Sequence, residues 1–249
     1  MQDTRTIAAT RCFQSRAILY DPRLMNSPKP EMFSREYWVH QLAVSGQAFT
    51  GRQPPLYVRY QDLELVLRPF RHGGAFQSLS RDRFLWSGNE SSRAWREWRL
   101  LALLTEKGLP VPRPVAALVS RRGLLYTAAI LTLRIPGANP LSDHLPPRAL
   151  DAGIWHQLGR LVARFHAAGA DHVDLNAHNI LLDTHGKLWL VDFDKGRIRN
   201  PHHPGWQQAN LKRLKRSLDK ISVQRTSRAF APDLWSEVLR AYRSARQDL

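Results

Sequence analysis

Residues 172–196, HVDLNAHNILLDTHGKLWLVDFDKG, decide how this chain is interpreted. Two short apolar runs, NILL and LWLV, flank the turn sequence DTHGK, and this pattern predicts a small β-hairpin. Because aspartate is common in turns, a purely structural role for Asp174 and Asp192 is one alternative. Asp192, however, directly follows a strand with a buried pattern, which favours a functional role. Acidic and amide side chains gather around the hairpin: Asp174, Asn176, Asn179, Asp183, Asp192 and Asp194.

The spacing of three of these side chains suits phosphoryl transfer from ATP. That reaction needs a carboxylate that accepts the proton of the acceptor hydroxyl, and oxygen ligands for Mg²⁺. Protein kinases use the Asp of H-R-D, an Asn five residues later and the Asp of D-F-G. This chain has His172-Val173-Asp174, then Asn179 and Asp192-Phe193, and so resembles the protein-kinase-like fold. The resemblance implies that Asp174 is the catalytic base and that Asn179 and Asp192 are the metal ligands.

The first half of the chain is expected to supply groups that bind the ATP phosphates. The runs 56–60 and 63–70 predict an antiparallel hairpin, and residues 93–108 have the apolar spacing of an amphipathic helix. By the same resemblance, Arg68 stands where kinases carry a strand lysine, and Glu97 in the helix is its natural partner. Two alternatives stay open: Arg68 as a surface strand residue, and Glu97 as a solvated helix charge.

The resemblance implies an α+β, bilobal protein-kinase-like fold, and the order of these elements agrees with it. Residues 1–135 would form an N-lobe, an antiparallel sheet with a helix that binds the ATP phosphates. Residues 136–249 would form a mainly helical C-lobe with the catalytic loop, the metal site and the acceptor site. The segment 134–147 is rich in Pro, Gly and Asn and suits a linker, and residues 154–169 predict the first C-lobe helix.

Several features depart from regulated protein kinases. Val173 replaces the arginine of H-R-D, Asn176 stands where many protein kinases have a catalytic-loop lysine, and Asp194 replaces the glycine of D-F-G. The expected glycine-rich loop is reduced to Gly46 and Gly51 within residues 45–55, and the pattern G-x-x-x-x-G-K-[ST] is absent. These departures favour a small-molecule or sugar kinase of the same fold.

The chain also resembles a narrower family, the lipopolysaccharide-core kinases of Gram-negative bacteria. That resemblance implies ATP-dependent transfer of phosphate to a hydroxyl, the 4-OH, of the 3-deoxy-D-manno-octulosonic acid (Kdo) sugar on lipid A. It also implies a peripheral location at the cytoplasmic face of the inner membrane. The stretches that carry the likeness are LVLRPFRHGGAF (65–76), GLPVPRPVAA (108–117), HVDLNAHNILLD (172–183), LWLVDFDKGRIR (188–199) and NLKRLKRSL (210–218).

The charge of the chain favours anionic partners, because 37 basic residues face 21 acidic ones. In residues 210–221 a helical leucine and isoleucine stripe is flanked by Lys and Arg, which indicates either a core helix with a solvated face or a surface for anionic lipid. The loop Arg71-His72-Gly73-Gly74 could contact phosphate or acceptor, or be a plain turn. No zinc-finger spacing or paired RNP aromatics accompany the charge, so no specific nucleic acid is expected.

Other functions remain as alternatives at this point. They include a kinase for a heptose, an antibiotic or a protein serine, a nucleic-acid-binding protein, and an inactive kinase-like scaffold. The single cysteine, Cys12, excludes an internal disulfide and fits a reducing compartment. Neither a secretory signal nor a spanning helix is apparent, so a soluble or peripheral cytoplasmic protein is expected.

Overall fold

The structure is a computed structural model that describes residues 5–47, 55–70, 82–145, 152–226 and 230–248. The chain divides into two compact units. The first consists of Met1–Glu106 and Pro112–Arg134, and the second of Lys107–Val111 and Ile135–Leu249. The functional roles expected of residues 1–135 and 136–249 stay predictions.

The first unit is built on an antiparallel sheet. Within its described residues, seven strands pair in the order β1-β2-β7-β8-β5-β4-β3, and β6 adds to β8. The predicted hairpin of residues 56–60 and 63–70 is confirmed, with Leu56 opposite Leu67. The expectation that residues 45–55 are a loop is wrong for residues 45–47, which lie in β3, where Gly46 and Gln47 pair with β4. The strands are β1 (Ala9–Phe13), β2 (Arg16–Tyr20), β3 (Val44–Gln47), β4 (Leu56–Tyr60), β5 (Leu63–Pro69), β6 (Phe84–Leu85), β7 (Pro114–Arg122) and β8 (Leu125–Leu133).

Helices complete the core of this unit. A short 3₁₀ helix (Pro30–Phe33) leads into α1 (Arg35–His40), whose Trp38 is buried and donates to the Met32 carbonyl at 2.7 Å. The predicted amphipathic helix is α2 (Arg93–Glu106), which packs on β7 and β8. Its buried apolar residues follow the helical period and form one face of the helix: Ala94, Trp95, Trp98, Leu101 and Leu104.

The second unit is mainly helical. The predicted helix is α3 (Ala152–Ala167), and it packs against α5 (Pro232–Gln247). The predicted hairpin is formed by β11 (Ile180–Leu182) and β12 (Leu188–Leu190), and β9 (Asn139–Pro140) pairs with β11. The remaining elements are a 3₁₀ helix (Leu141–His144), β10 (Ala170–Asp171), β13 (Arg197–Ile198) and α4 (Pro204–Thr226). The α+β class is thereby confirmed. No helix within the described ranges is long and apolar enough to cross a bilayer.

A glycine sets the distance between α3 and α5. A β-carbon on Gly159 would lie 2.3 Å from the Val238 carbonyl oxygen and 2.9 Å from the Ala241 side chain. It would also lie 2.9 Å from the Tyr242 backbone nitrogen. Real β-carbons do not approach other atoms so closely, and two of these three contacts are with backbone. The two helices therefore pack in near-direct backbone contact at this point.

We expect Gly159→Ala to destabilise the protein by about 1–3 kcal/mol, because overpacking outweighs the gain in helix propensity. The control is Gly205→Ala in α4, where the added atom meets only the His203 ring at 3.5 Å or more. That change should be neutral or stabilise by up to about 1 kcal/mol. Urea unfolding of both variants measures the difference. An equal or higher stability of Gly159→Ala would contradict the close packing.

Candidate active site

The segment between β10 and β11 is anchored by a buried histidine. His172 is 2% exposed, and its Nε2 lies 2.9 Å from the Val191 carbonyl oxygen; because a carbonyl oxygen can only accept a hydrogen bond, Nε2 is the donor. Burial lowers the pKa of His172, so the ring is neutral. The ring packs on Phe193 with centroids 4.5 Å apart, and Phe193 stacks on Phe165 at 5.9 Å. His172 is thus structural, and it joins the loop to the segment that bears Asp192.

Two side-chain amides hold the backbone at Asp174. Asn176 Nδ2 and Asn179 Nδ2 donate to the Asp174 carbonyl oxygen at 2.9 and 3.0 Å. The Asn176 Oδ1 in turn accepts from the backbone N–H groups of His178 and Asn179. The carboxylate of Asp174 is 59% exposed. The loop is therefore fixed, while the group predicted to act as base faces solvent.

Asn179 and Asp192 flank the same open end of the hairpin. The backbone N–H of Val191 donates to the Asn179 carbonyl at 3.0 Å, one step beyond the Ile180–Leu190 pair. Asp192 has a φ of +64°, in the left-handed region, which costs a residue other than glycine about 1 kcal/mol or more. Such backbone strain is concentrated at functional sites, although Asp tolerates this region better than most residues. The backbone contacts thus bring residues 174, 179 and 192 into one local framework.

The chemistry of the donors at this framework fits Mg²⁺. Because Asn179 Nδ2 is committed to Asp174, the amide can offer only its Oδ1 to a cation, and Asp192 contributes a carboxylate. Both are hard oxygen ligands. In the described part of the chain, no group of three or more His, Cys, Asp or Glu forms a metal cage. Two protein ligands are nevertheless typical of Mg²⁺ bound together with substrate phosphates and water.

Other polar groups of the opening stretch have structural roles. Asp183 closes the hairpin turn: it accepts from the backbone N–H groups of His185 and Lys187 and from the Trp189 indole. Asn176 holds the loop, as described above. The concentration of acids and amides in residues 172–196 therefore reflects turn chemistry as well as any metal and acceptor binding.

Sequence reasoning missed Asp171, a buried carboxylate next to the loop. It is 3% exposed and binds Arg197 Nε at 3.1 Å, Arg199 Nε at 3.0 Å and Asn210 Nδ2 at 2.9 Å. These partners tie β10 to β13 and to α4. Its position beside His172 was the only signal, and no spacing rule identifies a residue in this role.

In the first unit, the structure brings Arg68 and Glu97 together. Arg68 Nη2 lies 2.5 Å from Glu97 Oε2, and the guanidinium lies 4.7 Å from the centre of the Phe70 ring. Glu97 is 2% exposed, so the alternative of a solvated helix charge is wrong. A buried carboxylate needs such a partner, because removing either charge leaves the other uncompensated. Of the predicted phosphate loop, Gly46 lies in β3, whereas Gly51 falls outside the described residues. The separate loop of residues 71–74 also falls outside them.

These two sets of groups define a class of protein. A strand cation paired with a buried helix glutamate, together with the loop H-x-D-x₄-N and a following D-F, is typical of kinase-fold phosphotransferases, in which that cation is usually a lysine rather than the arginine found here. The model of the lipopolysaccharide kinase (Kdo/WaaP) family matches residues 35–242, and the chain belongs to this family. The family resemblance and the enzyme class, a phosphotransferase acting on a hydroxyl, are thereby confirmed.

Curated relatives agree with this placement. The chain is 43% identical over 241 residues to a protein of Stenotrophomonas maltophilia (strain K279a), covering 94% of each. It is 40% identical over 226 residues to a protein of Xylella fastidiosa (strain M12), covering 91% of this chain and 89% of the relative. A Vibrio parahaemolyticus protein is 39% identical over 211 residues, covering 85% and 87%. Each is named 3-deoxy-D-manno-octulosonic acid kinase.

The second unit contains another buried histidine, in addition to His172. His166, on α3, is 1% exposed, and its Nδ1 lies 2.9 Å from the Tyr242 hydroxyl. Burial lowers the pKa of His166 to about 4, against 6.5 for an unhindered imidazole, with Asn210, Arg246 and Asp171 as its other influences. The unfolded chain therefore binds more protons than the folded one between these pH values. The contribution of neutral, buried His166 to the free energy of unfolding is therefore complete above pH 6.5 and is lost as the pH falls towards 4.

We therefore expect the wild-type free energy of unfolding to fall by about 3 kcal/mol more than that of His166→Gln between pH 7 and pH 4. Buried His172 is present in both proteins, so its contribution cancels in this comparison. Denaturant titrations at several pH values provide the measurement. The control is His202→Gln, which removes an exposed imidazole and should follow the wild type. Parallel losses in wild type and His166→Gln would show that His166 is not the group responsible.

Proposed function

We propose that the protein transfers the γ-phosphate of ATP to the 4-hydroxyl of Kdo in Kdo-lipid A, during biosynthesis of the lipopolysaccharide core. The observation that carries this proposal is the loop at Asp174, whose carboxylate is exposed while two amides fix its backbone. Membership of the lipopolysaccharide kinase family and the names of the relatives support the choice of acceptor.

Each site residue has a proposed task. Asp174 accepts the proton of the attacking hydroxyl and orients it. Asn179, through Oδ1, and Asp192, through its carboxylate, hold Mg²⁺, which neutralises charge on the ATP phosphates. Arg68 binds a phosphate oxygen of ATP, and buried Glu97 orients its guanidinium. An arginine in this place binds phosphate through a planar fork rather than as a point charge.

We expect Asp174→Asn to lower the rate of phosphate transfer by about 10²–10⁴-fold, because the amide cannot accept a proton. The assay is mass spectrometry of Kdo-lipid A after incubation with enzyme, Mg²⁺ and ATP, in which the wild type adds one phosphate. The matched control is Asp233→Asn, which removes an exposed carboxylate at the start of α5.

Three outcomes separate the parts of this proposal. Equal rates for wild type and Asp174→Asn would reject Asp174 as the base. An unchanged mass of Kdo-lipid A, with transfer to a heptose-bearing core or a protein serine instead, would reject the acceptor. If Asp174→Asn kept the full biological function of the protein in cells, the alternative of a scaffold without phosphate transfer would be supported.

We also propose that the protein binds the anionic cytoplasmic surface of the inner membrane through α4 and α5. Exposed Lys212 and Arg216 of α4 line a groove of about 560 Å³, with Trp235 and Leu239 of α5 as its apolar wall. Lys215 lies in the same groove, paired with Asp219 at 2.6 Å. Cations near an anionic bilayer contribute roughly 1 kcal/mol each, and an indole beside them suits the lipid interface.

The double variant Lys212→Glu/Arg216→Glu should bind phosphatidylglycerol-containing vesicles about 30-fold more weakly or worse, since two attractive contributions become repulsive. Vesicle sedimentation at fixed salt measures this affinity. The control is Arg122→Glu/Arg160→Glu, which makes the same charge change at exposed positions on β7 and α3. Equal weakening of both variants would mean that net charge alone drives binding. Salt-sensitive binding to duplex DNA without phosphate transfer would favour the nucleic-acid alternative.

A further inference from the structure

One face of α4 lies along the loop that bears Asp174. Asn210, Arg213 and Ser217 follow at intervals of three and four, so they share a face of the helix. Asn210 donates to Asp171 at 2.9 Å, and Ser217 Oγ accepts from the Ala177 backbone N–H at 3.1 Å. The helix is therefore fixed to the loop at two points, one on either side of Arg213.

Arg213 approaches Asp174 from this face. Its Nη1 lies 3.7 Å from Asp174 Oδ1, and the two side chains are 50% and 59% exposed. An exposed ion pair at this distance stabilises a fold only weakly. The guanidinium can therefore exchange the carboxylate for a phosphoryl oxygen at little cost, and its planar fork suits two such oxygens.

The loop itself lacks a cation at the expected place. Asn176 stands two residues after Asp174, where many protein kinases carry a lysine, and its amide is occupied by the loop backbone. During transfer, negative charge spreads over the three equatorial oxygens of the phosphoryl group, and a positioned cation stabilises that charge. Arg213 is a cation held within contact distance of the proposed base.

We propose that Arg213 contacts the transferred phosphoryl group and stabilises its charge, in place of the absent loop lysine; this inference rests on the proposed function. The acceptor oxygen forms a bond to the γ-phosphorus as the bond to the β–γ bridging oxygen breaks. ADP departs with that electron pair, and the hydroxyl proton passes to Asp174. Arg213 remains protonated throughout and supplies only charge and hydrogen bonds.

The first test is steady-state kinetics of Arg213→Met. We expect kcat to fall by about 10²–10³-fold with the KM values for ATP and acceptor changed little, and Arg213→Lys should recover part of the rate. The melting temperature should stay that of the wild type, because the ion pair is exposed. The matched control, Arg160→Met, removes an exposed guanidinium from α3 and should keep full activity. A wild-type kcat in Arg213→Met would overturn the inference, as would a rise in the acceptor KM alone.

The second test separates contact with the phosphoryl group from orientation of Asp174. ADP with Mg²⁺ and aluminium fluoride mimics the phosphoryl group during transfer, and calorimetry should show tighter binding by wild type than for ADP with Mg²⁺ alone. Arg213→Met should lose that preference by about tenfold or more while binding ADP normally. An undiminished preference would mean that Arg213 acts only through Asp174, and would overturn the inference.

ATP hydrolysis measured without an acceptor separates the proposed acceptor, Kdo-lipid A, from the proposed role of Arg213. Water then replaces the sugar hydroxyl, yet the same charge develops on the phosphoryl group. If wild type leaves Kdo-lipid A unchanged but hydrolyses ATP, and Arg213→Met slows that hydrolysis, the proposed acceptor is wrong and the role of Arg213 stands. If wild type phosphorylates Kdo-lipid A and Arg213→Met does so equally fast, only the role of Arg213 fails.

Discussion

The carbonyl oxygen of Asp174 accepts hydrogen bonds from two side-chain amides, and the arrangement of the second unit's site depends on this contact. A backbone acceptor held on two sides cannot rotate independently, so the Asp174 side chain leaves the loop in a fixed direction. Asn179 takes part in that contact and, through its own carbonyl, receives the N–H of Val191. Asn179 therefore has two structural roles. Its side chain helps to orient the predicted base, and its backbone closes the end of the hairpin next to Asp192.

The sequence predicted what depends on local spacing. The hairpin at 180–190, α2, α3 and the antiparallel pair β4–β5 follow from periodicity and turn residues close together in the chain. The loop from His172 to Asn179 was recognisable because His172, Asp174 and Asn179 stand at a fixed, short spacing in the sequence. The pairing of Arg68 with Glu97 was also expected, from the resemblance to protein kinases, and the structure brings the two side chains together.

What escaped the sequence depends on contacts between distant segments. Asp171 is buried because β13 and α4 cover it, and nothing in its neighbours reveals that cover. Arg213 reaches Asp174 from 39 positions later in the chain, as one basic residue among several in its helix. Helix α5 has apolar side chains at Leu234, Val238, Ala241 and Ala245, a spacing that could have indicated it. Strand β3 was taken for a loop because its glycine and polar residues carry a weak pattern.

Several basic residues of the second unit make contacts within the fold. Arg197 and Arg199 neutralise the buried Asp171, and Arg225 donates to the carbonyl oxygens of Asp143 and Leu145. Part of the positive excess is thus used in ion pairs and hydrogen bonds within the fold. Fewer basic side chains are therefore left to bind an anionic ligand than the total number of Lys and Arg suggests. Those of the α4 groove, Lys212 and Arg216, are the candidates.

At Asp192, whose backbone is left-handed, selection for stability and selection for activity favour different residues. Glycine would adopt this conformation without strain, so a chain selected only for robustness would tend to acquire it there. Such a chain would lose the carboxylate, and with it the proposed anchor for the divalent ion. Descendants of this protein that drift to glycine at this position should therefore be sturdy but inactive, and a retained aspartate marks lineages in which turnover is still under selection.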